Sequence, residues 1–156
     1  MTKLYIAHGE LIIDEHSLNL KETVEKHGAN LKGARLERTD LEGANLVNAY
    51  LVNADLLLAN LEGANLEGAN LTKSCLEGAN LKGANLKGAD LYRANLIGAD
   101  LRGANLEGVN LEGALVGLAD LLGADLEGYL KEANLKAAYL ENGYFRLITA
   151  TTTKNK

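Results

Sequence analysis

The chain has 156 residues, 21 acidic against 16 basic, and a formal net charge of −5. That length suits one domain, and a mildly acidic surface of interleaved signs argues against a nucleic-acid-binding protein, which would carry a basic stripe. The single cysteine, Cys75, rules out an intramolecular disulfide and fits a reducing, cytoplasmic compartment; no apolar run approaches the ~18–20 residues of a membrane span.

Residues 1–28 read as an N-terminal cap. The opening apolar stretch meets His8-Gly9 too soon to hold a signal-peptide core, and residues 4–13 read instead as two short strands around that dipeptide. Asn19 followed by Glu22 is a reciprocal helix-capping pattern. Leu20 and Val24, four apart, give the short helix one apolar stripe, and Gly28 suits its end.

From Ala29 onward the chain repeats one phrase: a small residue, Asn or Asp, Leu, then two freer positions, as in Ala64-Asn65-Leu66-Glu67-Gly68. Centres spaced by five run from Leu31 to Leu126, with Val116 as the one replacement, then resume one residue early at Leu130 and continue through Leu135, Leu140 and Phe145. A five-residue period fits neither the helix nor the simple strand and marks a repeat architecture. In extended backbone, residues two apart share a face, so the Ala and Leu point together and the Asn or Asp between them points away. The chain must then bend to bring the next Ala–Leu pair inward. Glycine two residues after Leu suits the positive φ of a type II turn.

This unit resembles that of the pentapeptide-repeat family, whose pattern is A-(N/D)-L-x-x. The resemblance implies an all-β solenoid, a right-handed quadrilateral β-helix with four units per coil, about six coils over residues 29–147. It also implies functions: some members inhibit or protect DNA topoisomerases, gyrase above all, by resembling duplex DNA in width and charge. This chain departs from that subgroup. Its centres are almost uniformly Leu, no loop is inserted between coils, and its surface mixes both signs of charge.

With four units per coil, residues 20 apart stack. One face then gathers Leu57, Leu58, Ile97, Leu115 and Leu118 with Cys75 among them, and reads either as a partner surface or as ordinary scattered leucines. Another carries Tyr50, Tyr92 and Tyr129, too widely spaced to stack directly. A third stacks Glu42, Glu62, Lys82 and Arg102, and a fourth Glu67, Lys87 and Glu107, where cross-coil ion pairs would set register. Outward asparagines such as Asn65, Asn85 and Asn105 can form ladders.

The last coil brings in Tyr139, Tyr144, Phe145 and Leu147. They read as a plug over the final layer or as an end-to-end homodimer contact. Residues 148–156 form a polar, flexible tail. Catalytic chemistry is not expected. His8, His16 and His27 lie before the repeat in no metal-ligand spacing, and the glycines follow the turns rather than a phosphate loop. The resulting expectation is a non-catalytic interaction scaffold without cofactor, metal or membrane contact, its protein partner unspecified. A gyrase-binding DNA mimic and a structural or accessory protein of bacterial or phage origin are the alternatives.

Overall fold

The computed structural model describes residues 30–117 and Ala119. Single-residue parallel bridges join positions 20 apart, from Arg35↔Asp55 through Asn95↔Leu115, at every fifth residue. Each 20-residue coil therefore holds four pentapeptides and stacks in register on the next. The extended segments expected from the sequence are shorter than strands: a turn follows each repeat centre, so only the residue before the centre is bridged. Residues 30–117 make a little over four coils.

The core is built from the two inward positions. The repeat-centre leucines from Leu31 to Leu96 are 0–1% exposed, and the alanines two residues before a centre, from Ala34 on, are equally buried. Thr39, Ser74 and Val109 take the alanine position and are buried as well. Such a core is a stack of layers fixed by the backbone ladder rather than by helix or sheet packing.

Each backbone N–H of the unit centred on Leu61 has a partner. Asn60 donates to Thr39 O of one neighbouring coil at 2.8 Å, Leu61 to Asn80 O of the other at 2.7 Å, and Gly63 to Lys82 O at 2.9 Å. Ala64 closes the turn onto Leu61 O at 3.0 Å. The remaining N–H, of Glu62, donates to the side-chain Oδ1 of Asn60 at 3.2 Å. Three bonds between coils, one turn bond and one side-chain bond leave no orphan donor, as burial of the chain requires.

The turns are type II, with positive φ confined to the second residue after Leu. All such positions from Gly33 to Gly113 have φ between 55° and 69°, including the non-glycines Arg38, Asn48, Asn53, Leu58, Lys73 and Arg93. At Gly78 the corner is also crowded. A Cβ there would sit 2.7 Å from Cδ2 of Leu58, one coil away.

Ser74 is the flaw in the core. Its residue is 1% exposed and its Oγ has no hydrogen-bond partner, in register with Ala54 and Ala94. Replacing Ser74→Ala removes an uncompensated hydroxyl and is expected to stabilise the protein by about 1–2 kcal/mol, read as a higher midpoint in urea with an unchanged slope. A lower midpoint would show that the hydroxyl contributes a bond.

The N-terminal cap, the register slip near Gly128, Leu118, Tyr129, the aromatic last coil with Tyr139, Tyr144, Phe145 and Leu147, and the tail lie outside the described residues.

Candidate interaction face

The coil has four faces, named here by their first centre. The Leu36 face carries the outward column Arg35, Asp55, Cys75, Asn95 and Leu115, joined directly by successive bridges. Leu57 and Ile97 stand along one edge, two coils apart, with exposed Glu77 between them. The predicted apolar column is therefore interrupted. Leu57, Ile97 and Leu115 are half-buried, and Leu58 is 47% exposed. Val47 and Tyr50, at 41% and 38%, are exposed on two other faces. Val47 was not singled out by the repeat pattern, because it stands alone among charged residues at its column positions. Cys75 is a free thiol, half-buried.

The outward Asn or Asp has a role that the repeat pattern alone does not reveal. All fourteen in the described chain accept, through Oδ1, the N–H two residues on, in an Asx turn that satisfies the first corner amide. Four outward positions lack this group: Arg35, Tyr50, Cys75 and Leu115. Three of the four lie on the Leu36 face. At the first of them Glu37 compensates, its own amide holding its carboxyl below the usual range, helped by Arg35 at 3.3 Å.

The expected ladders and ion pairs form on the other faces. Asn80 Nδ2 donates to Asn60 Oδ1 at 3.0 Å, Asn85 Nδ2 to Asn65 Oδ1 at 3.1 Å, and Asn110 Nδ2 to Asp90 Oδ1 at 2.9 Å. Lys82 pairs with Glu62 at 3.3 Å and Lys87 with Glu107 at 2.9 Å, both between adjacent coils. The Asn80 amide and then Lys82 lower the Glu62 carboxyl pKa, and Glu107 raises that of Lys87. Arg102 differs from the expected column pairing. It forks onto Asp100 of its own coil, through Nε to Oδ1 at 2.8 Å and Nη2 to Oδ2 at 2.5 Å, and holds that carboxyl low.

Tyr92 and Tyr50 do not stack, as their spacing predicted; Tyr92 instead lies under the Arg93 guanidinium, 5.0 Å from the ring centroid. No cluster of metal-ligating side chains occurs among the described residues, and no helix among them is long and apolar enough to cross a membrane.

The family model described as pentapeptide repeats matches in eight copies, over residues 27–56, 59–88, 74–113 and 89–128. No curated protein matches the chain. Among solved structures, a pentapeptide repeat protein from the Arabidopsis thaliana thylakoid lumen is similar at TM-score 0.59 and 30% identity, covering 76% of this chain and 79% of that one. A pentapeptide repeat protein from Nostoc is also 30% identical, over 80% of this chain and 96% of that one, with TM-score 0.37. A plasmid-mediated fluoroquinolone resistance protein matches at 17% identity and TM-score 0.37, over 69% of this chain and 65% of that one, which carries no argument about function.

Proposed function

Because this chain belongs to the pentapeptide repeat family, we propose that it is a non-catalytic interaction scaffold whose working surface is the Leu36 face. The supporting observation is the distribution of missing Asx turns. Among the described residues, every outward position on the Leu41 and Leu46 faces is Asn or Asp and bonds its corner amide. On the Leu36 face three of five positions give up that bond for Arg35, Cys75 and Leu115. A structural rule abandoned on one side of a regular rod marks a side chosen for something other than folding. Leu57, Leu58, Ile97 and Leu115, continued by Leu118, supply its apolar content.

The same register carried over residues 29–147 gives about six coils, right-handed as the family resemblance implies. Residues 1–28 act as the cap that a solenoid end needs. The aromatic end at Tyr139, Tyr144, Phe145 and Leu147 is the second place for a contact, between two copies.

DNA mimicry has weaker support. Lys82 and Lys87 interrupt the acidic columns in pairs with Glu62 and Glu107, so no continuous negative stripe runs along those faces. Replacing Leu58→Lys and Leu115→Lys together is expected to abolish partner capture from host lysate while leaving the thermal midpoint nearly unchanged and gyrase supercoiling unaffected by either form. Capture that survives both substitutions would return this face to ordinary surface leucines; inhibition of supercoiling at micromolar protein would favour the DNA-mimic reading.

A further inference from the structure

We draw no further inference here: the strongest candidate, the surface patch on the Leu31 face where Tyr50 and Tyr92 lie among Lys32, Lys73 and Arg93, carries nothing, because Asp90 and Glu112 share the face with those cations and nothing in the structure shows what covers it.

Discussion

Leu81→Ala is expected to destabilise the protein by about 3–5 kcal/mol, the upper part of the range for a buried leucine. Leu81 is 0% exposed and lies in the middle of the described rod, in register with Leu61 and Leu101. Its surroundings cannot collapse into the space. The Leu81 amide is fixed to Asp100 O at 2.7 Å, the Leu61 amide to Asn80 O at 2.7 Å, and the Ala84 amide to Leu81 O at 3.0 Å. Leu76 and Leu86 are pinned in the same way, through Asn95 O and Asn105 O, so the cavity stays open and its cost is not relieved. The informative control is Leu58→Ala, the same change at a corner side chain that is 47% exposed. It should cost under about 1 kcal/mol. Urea denaturation of both variants checks the contrast. Equal losses would mean that the layered core does not dominate stability.

Asn80→Ala is expected to cost about 2–3 kcal/mol, an effect unusual for a side chain on the outside. Asn80 accepts the Lys82 amide at 3.2 Å and donates to Asn60 Oδ1 at 3.0 Å and Glu62 Oε2 at 3.1 Å. Its loss leaves a corner amide without its Asx partner and breaks the ladder between two coils. Asn80→Asp separates these contributions. The Asx acceptor remains, but both donated bonds are lost and a carboxylate is placed beside Glu62. It should recover little of the loss at neutral pH, and more where the carboxylates are protonated. Full recovery at neutral pH would show that the Asx turn alone matters. A loss below about 0.5 kcal/mol for Asn80→Ala would show that water replaces all three bonds.

The inside of this protein was legible in its sequence. Ala at one position and Leu two later, at a strict period, settle which side chains are inward, because backbone alternation leaves no other face for them. The glycines settle where the chain bends, because few residues accept positive φ without cost. Arg38, Leu58, Lys73 and Arg93 adopt the same turn without glycine. The sequence does not mark those residues as corners except through their phase.

Less of the outside could be read. Asn at the outward position suggests a ladder, but the Asx bond to the corner amide became visible only with the backbone in place. The choice between Asn and Asp is also a property of the stack. An Asp accepts but cannot donate, so Asp40 and Asp90 each stand next to a donor, Asn60 and Asn110, while Asp100 takes Arg102 instead. The candidate site shows the same division. Phase alone puts Leu57, Leu58, Ile97 and Leu115 on one face, whereas the Asn95 bond that holds Glu77 between Leu57 and Ile97 depends on which residues meet across coils.

The sequence by itself determined the repeat, its inward and outward positions, its bends and its family, since each of these is set within five residues by alternation, φ preference and hydrophobicity. The tertiary structure decided the 20-residue register, the corner amides' partners, the pairing of charges and the crowding of departures around one face. Those depend on contacts between residues a full coil apart, which local preference does not specify and which only the stacked backbone brings within hydrogen-bonding distance.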